Sequence, residues 1–184
     1  LIALQKGVTW VNRPISCFGG FRLSATKKIG CHGHAPILNV AQALQHSCNT
    51  YYIQITKDFL DQYGSKYPGI GLDTLVAYLD DFGLGKKLGM DFSYEGQGFI
   101  PNSNFYDKVY KNEINGWKSM WVLSLGIGQG EMQLTTVQMA NLAAILANRG
   151  YYITPHFIKS YVSGKSVPSK YTEKHVMRID RKYY

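Results

Sequence analysis

Residues 125–139 read Leu-Gly-Ile-Gly-Gln-Gly-Glu-Met-Gln-Leu-Thr-Thr-Val-Gln-Met. Gly126, Gly128 and Gly130 make a tight backbone turn, and Thr135 or Thr136 then stands where a helix N-cap is wanted. The spacing predicts a helix from Val137 to about Asn148, stopped by Gly150. Its apolar positions Val137, Ala140, Ala144 and Leu146 or Ala147 suit burial. A nucleotide loop is a poorer reading, because the G-x-G-x-x-G spacing, a downstream acid and a P-loop Lys-Ser/Thr are all missing. Upstream, residues 45–54 read Gln-His-Ser-Cys-Asn-Thr-Tyr-Tyr-Ile-Gln and place Ser47-Cys48-Asn49 at a break between two helices. Taken alone, Asn49 is a good N-cap and Ser47 is merely the end of the preceding helix.

Working outward, Leu1–Trp10 reads as the end of a helix stopped by Gly7, with no initiator Met and no cap. Residues 11–36 read as a hairpin or flap, with Gly19-Gly20 near its centre. Residues 37–150 form a helical subdomain. Its first helix is capped by Asn39 and carries Val40, Ala43 and Leu44 on one face; its second starts at Asn49 with Tyr52, Ile55, Phe59 and Leu60 at helical spacing. Gly64–Gly71 is expected as loop, and a short helix Leu75–Phe82 is capped by Asp73 or Thr74 and ended by Gly83. Residues 83–98 and 100–118 read as irregular, 151–162 as a strand edged by Pro155, and 165–184 as a fraying polar tail.

The chain has 184 residues, 45% hydrophobic and 17% charged, which suits one domain or a large piece of one and excludes disorder. No apolar run is long enough to span a bilayer, and no signal peptide is visible. The net charge of +8 keeps a surface soluble or attracts an acidic polymer. The Lys and Arg are scattered, with no Arg-rich helix or stacking motif, so no nucleic-acid partner is expected.

The Ser47-Cys48-Asn49 triplet, followed by Phe82-Gly83-Leu84-Gly85, Gly98-Phe99-Ile100-Pro101 and then the Gly126–Gly130 turn with its Thr-capped helix, resembles the transpeptidase domain of class B penicillin-binding proteins, closest to the elongation type. The resemblance implies an α/β (in detail α+β) fold of the penicillin-binding transpeptidase and serine β-lactamase type. It implies a serine D,D-transpeptidase that cross-links peptidoglycan stem peptides through an acyl-enzyme, needs no catalytic cofactor and is trapped by β-lactams. It further implies the periplasmic face of the bacterial inner membrane and a glycosyltransferase partner in cell elongation. The family uses three motifs, S-x-x-K, S-x-N and K-T-G. By this resemblance Ser47 relays protons between nucleophile, catalytic Lys and leaving amine, and Asn49 holds the substrate backbone and steadies the Lys.

The other two motifs are not found. Ser24-Ala25-Thr26-Lys27 has the letters of S-x-x-K, but it lies in the expected hairpin and too near Ser47 for the family spacing. Gly164-Lys165-Ser166 is not K-T-G. The chain therefore reads as an internal fragment, inactive alone, with the nucleophile expected before Leu1 and K-T-G after Tyr184. The rival reading is a non-catalytic β-lactam or cell-wall binding or sensor domain on the same fold.

The segment Cys31-His32-Gly33-His34 departs from the family pattern. With Cys17 and Cys48 it supplies three Cys and a His, a structural zinc set. Cys17 and Cys31 flank the hairpin and Cys48 lies inside the triplet, so Cys17, Cys31, His34 and Cys48 are the expected ligands, with His32 as the alternative nitrogen. The spacing is not a zinc-finger pattern; a Cys17–Cys31 disulfide, or three reduced thiols, are the other readings. His46, His156 and His175 read as surface or packing residues.

Overall fold

Asn39 and Thr135 cap their helices as expected, whereas α3 and α4 start without the caps read from sequence. The computed structural model describes residues 1–64 and 67–184. In chain order it holds α1 (Ile2–Gln5), β1 (Gly20–Arg22), β2 (Lys28–Gly30), α2 (Val40–Gln45), α3 (Asn49–Asp61), α4 (Pro68–Asp81), α5 (Ser103–Val109), α6 (Thr136–Ala147), β3 (Tyr151–Tyr152) and β4 (His175–Val176). β1 pairs with β2 and β3 with β4, both antiparallel. The chain divides into two compact units, Leu1–Thr74 with Asn102–Glu131, and Leu75–Pro101 with Met132–Tyr184. Residues 102–131 belong with the first unit, and α4 runs across the division.

In the first unit α3 is the central element. Tyr51, Ile53, Phe59 and Leu60 are all at most 2% exposed. Burying each such side chain contributes roughly 1.5–3 kcal/mol. Arg13 binds α3 twice over, its guanidinium to Asp58 at 2.6 Å and its carbonyl to the Tyr51 hydroxyl at 3.0 Å. The hairpin turn does not fall at Gly19-Gly20 but at residues 23–27, where Leu23 N–H donates to the Lys27 carbonyl and the Ser24 hydroxyl accepts from the Thr26 and Lys27 amides. Gly20 instead opens β1, where a Cβ would stand 2.3 Å from the Ile29 carbonyl oxygen. The face expected on α2 is only partly right, since Ala43 is buried but Leu44 is exposed.

α4 starts seven residues before the Leu75 expected for it, and α5 lies where irregular chain was expected. α4 begins at Pro68, which its fixed φ suits for a first helical position, rather than at an Asp73 or Thr74 cap; residues 65–66 of the expected loop lie outside the described residues. Gly71 looks like a breaker in sequence, but here it lets two backbones touch: a Cβ would sit 2.5 Å from the Leu60 carbonyl oxygen. Asp73 is free to accept from Ser103 N–H and Oγ–H at the start of α5. α5 is capped by Asn102, which accepts from the Phe105 amide, and buries Tyr106. The Tyr106 hydroxyl donates to Glu131 at 2.7 Å, just after the glycine-rich turn.

In the second unit Thr135 and Gln138 form a reciprocal capping box at the start of α6. The buried face of α6 is Gln138, Asn141 and Ile145, while Val137, Ala140, Ala144, Leu146 and Ala147, the positions expected to be buried, are exposed. The reason lies in the irregular segment 82–97, whose carbonyls need donors. Gln138 Nε2 donates to the Lys86 and Gln97 carbonyls and Asn141 Nδ2 to that of Phe82. Glu95 accepts from the Leu88, Gly89 and Met90 amides, and Asp91 from those of Phe157 and Ile158. The strand expected over 151–162 pairs only at Tyr151–Tyr152, and the expected fraying tail supplies its partner and buries Tyr171, Met177 and Ile179.

Candidate active site at the Ser-x-Asn break

The break between α2 and α3 is a Schellman turn. Cys48 N–H reaches back to the Ala43 carbonyl and Ser47 N–H to that of Leu44, with Ser47 left-handed at φ 45°. Glycine is the usual residue there, and a side chain costs about 1 kcal/mol. Among the described residues only Ser47 and Arg149 are non-glycines at positive φ. Such strain is worth attention where it presents a side chain. Ser47 is exposed, whereas Cys48 between it and Asn49 is fully buried.

Asn49 does not cap α3. Cys48 occupies the cap position without a side-chain bond, and Asn49 is the first helical residue. That frees its amide, which donates to the Gly30 carbonyl at 2.9 Å and so ties the triplet to the end of β2. The second N–H and the carbonyl oxygen of Asn49 have capacity left for a ligand.

Beneath the triplet the structure brings together Cys17, Cys31, His34 and Cys48, whose ligand atoms all lie within 4.8 Å of one another. Cys17 Sγ is 3.1 Å from Thr50 Oγ1, and Cys31 Sγ is 3.6 Å from His34 Nε2. His34 Nδ1 lies 2.7 Å from the Ala35 carbonyl. A carbonyl only accepts, so Nδ1 carries a proton, and in the neutral ring Nε2 keeps its lone pair toward the thiols. His32 stacks edge-on against the His34 ring and stands outside the group. Burial pushes Cys48 up to about 12, helped by the negative charge of Cys17 and Cys31. Burial would raise Cys17 as well, but the Thr50 hydroxyl, the Gly19 amide and the other thiols draw it down to about 7. Thiols this close repel one another as thiolates, and a bound cation is what relieves that.

The glycine-rich turn is held against α3 two turns beyond the triplet. Residues Leu123–Ile127 form a 3₁₀ turn ended by left-handed Gly128. A Cβ on Gly126 would fall 2.0 Å from Thr56 Oγ1, so only glycine fits the approach. Ser24 and Lys27 lie in the hairpin turn, where the Ser24 hydroxyl is taken up by local amides. Sequence reading missed the Gly30 carbonyl, Thr50 and Thr56; each is a partner defined by tertiary contact, and no local signal marks it.

Residues 1–183 match the family profile described as the penicillin binding protein transpeptidase domain. The chain belongs to that family. The peptidoglycan D,D-transpeptidase MrdA of Escherichia coli (strain K12) is 32% identical over 174 residues, covering 90% of this chain and 25% of the relative. The Salmonella typhimurium (strain LT2) protein of the same name is 32% identical over 141 residues, 77% of this chain and 20% of its own length. This chain thus spans a fifth to a quarter of the length of those relatives. Among solved structures, Pseudomonas aeruginosa PBP2 in complex with WCK 5153 superposes with a TM-score of 0.77 at 27% identity, over 98% of this chain and 38% of that one. Helicobacter pylori PBP2, solved in complex with MreC, shares the fold with a TM-score of 0.67 at 20% identity, over 89% of this chain and 30% of that one. The mixture of helices with small antiparallel sheets is the transpeptidase and β-lactamase-like α+β fold expected from sequence.

Proposed function

We propose that the protein containing these residues is a peptidoglycan D,D-transpeptidase in which Ser47 and Asn49 serve as the S-x-N motif. The observation that carries this reading is the exposed, left-handed Ser47 beside an anchored Asn49, in a chain that belongs to the transpeptidase family along 1–183. The acylated serine belongs to an S-x-x-K motif outside residues 1–184. Its hydroxyl attacks the penultimate D-Ala carbonyl of a donor stem peptide, an ester forms, and the terminal D-Ala leaves as the free amine. The amine of a neighbouring stem peptide then attacks the ester, the new amide forms and the serine hydroxyl is restored. Ser47 carries protons between these groups, and Asn49 holds the donor backbone with its remaining N–H and carbonyl oxygen. β-Lactams occupy the same path and stop at the acyl-enzyme. The likeness to elongation-type relatives supports work at the periplasmic face of the inner membrane beside a glycosyltransferase.

Cys17, Cys31, His34 and Cys48 hold one structural zinc in this reading. Tetrahedral zinc with Zn–S near 2.3 Å and Zn–N near 2.0 Å sets its ligand atoms roughly 3.5–4 Å apart, so the 4.8 Å envelope needs little contraction. Bound there, zinc cross-links the hairpin to the start of α3 and takes no part in acyl transfer. The cluster adjoins both triplet residues, since Cys48 separates them and Gly30, the Asn49 partner, precedes Cys31.

The test is acylation of the full-length protein by a fluorescent penicillin. Ser47→Ala slows labelling by roughly 10²–10⁴-fold with circular dichroism unchanged. Labelling at the normal rate refutes the role of Ser47, and a wild-type protein that binds penicillin without a covalent adduct identifies a binding or sensor domain. Residues 1–184 alone give no labelled band; a band there would implicate Ser24.

A further inference from the structure

The second non-glycine residue at positive φ points to another site. The end of α6 repeats the local motif of the triplet: Gly150 N–H donates to the Ile145 carbonyl, Arg149 N–H to that of Leu146, and Arg149 holds the left-handed position at φ 54°. Arg149 is exposed there and opens onto a cavity of about 670 Å³. Lys174, before β4, and Arg181, after it, line the same cavity, and no carboxylate is among the described residues that line it. Neighbouring cations are paired, Arg178 with Asp81 and Lys182 with Asp180. Arg149, Lys174 and Arg181 form no salt bridge with any described residue. Lys174 Nζ is instead held 4.3 Å above the Tyr151 ring, on the cavity wall. The floor is apolar, from Met177 and Ile179.

We propose that this cavity is an anion site that takes a phosphate-bearing ligand. Three cations around one concavity, two of them guanidiniums able to bind two oxygens each, suit a doubly charged phosphate better than a single carboxylate. The apolar floor accepts a carbon portion attached to the phosphate. An entering anion meets no opposing carboxylate among the described residues that line the cavity. The phosphate is carried either by a soluble phosphoester or by an anionic lipid headgroup.

The experiment uses the full-length protein. Isothermal titration with inorganic phosphate and pyrophosphate, against sodium chloride at matched ionic strength, gives saturable binding for the phosphates only. Arg149→Gly weakens it roughly tenfold, as does Lys174→Gln. Glycine suits the left-handed position, so Arg149→Gly keeps or raises the melting temperature while affinity falls; Lys111→Gln, in the other unit, leaves affinity unchanged. Flotation with phosphatidylcholine–phosphatidylglycerol vesicles separates the sources: Arg149-dependent flotation assigns the headgroup, and phosphate binding without flotation assigns the soluble ester. Heats indistinguishable from sodium chloride, or equal affinity in wild type, Arg149→Gly and Lys174→Gln, overturn the proposal.

Discussion

Gly126→Ala tests the packing of the glycine-rich turn on α3. The φ of Gly126 is one that any residue adopts, so the substitution isolates the steric effect. The new Cβ would meet Thr56 Oγ1 at 2.0 Å, Thr56 Cβ at 2.7 Å and Thr56 Cγ2 at 3.2 Å, all inside the 3.4 Å where ordinary contact begins. Thr56 cannot simply rotate away, because its hydroxyl donates to the Tyr52 carbonyl at 2.8 Å and its β-branch stiffens χ1. The turn must therefore retreat, and overpacking of this kind costs about 1–3 kcal/mol. At this chain length that lowers Tm by roughly 3–10 °C. Thr56→Ala removes the atoms at 2.0 and 3.2 Å and leaves the one at 2.7 Å, so it relieves most of the clash. The double variant should lose at least about 1 kcal/mol less than the sum of the singles. Urea unfolding of the four proteins measures this. If Gly126→Ala unfolds like wild type, or if its penalty is the same with and without Thr56→Ala, the contact is not what fixes the turn.

Other expectations follow from contacts already described. Chelation of zinc-loaded protein lowers Tm by at least about 5 °C; traces of zinc in protein purified without chelator, with Cys17 and Cys31 linked in mass spectra, would replace the zinc reading by the disulfide one. Asn49→Asp sets a carboxylate against the Gly30 carbonyl, where the amide now donates at 2.9 Å, and costs about 1–3 kcal/mol, more than Asn49→Ala; equal losses in urea unfolding would show that the bond is unimportant. For Asp91, burial raises the carboxyl, but the Phe157 and Ile158 amides outweigh it and hold it below its ordinary 3.8. A depressed carboxylate stabilises above its unfolded value and loses that effect as pH falls through the folded one, so hydrogen-exchange protection of the Phe157 and Ile158 amides declines below pH 3.8. Protection that persists unchanged in Asp91→Asn would show that the Asp91 carboxylate does not hold these two amides.

Local chemistry made some of this legible and not the rest. Asn39 and Thr135 were readable as caps because a cap is defined by a side chain and an amide three residues on. The Cys-His group was readable because rare residue types fall both in the hairpin segment, at Cys17, Cys31 and His34, and inside the triplet, at Cys48. Gly71 and Gly126 misled or said little, because their value lies in what passes close by, Leu60 and Thr56, and nothing in sequence reports it. Residues 100–118 looked irregular because α5 is short and buries chiefly Tyr106. The buried amides of α6 inverted a hydrophobic-face rule, since the carbonyls of 82–97 create a demand for donors that only tertiary structure reveals.

The contacts of α3 have a consequence for how the sequence can vary. Cys48 enters the cysteine group at its start, the Tyr51 hydroxyl reaches Arg13, Thr56 faces Gly126, Asp58 receives the Arg13 guanidinium, and the Leu60 backbone meets Gly71. One added residue would turn everything beyond it by about 100° and move it by about 1.5 Å, breaking each later contact at once. The stretch from Cys48 to Leu60 thus acts as a gauge of fixed length and fixed phase, roughly 12 Å from the triplet to the glycine-rich turn. Insertions and deletions among relatives should fall on either side of it. A displacement at one end has no slack in which to be absorbed before it reaches the other.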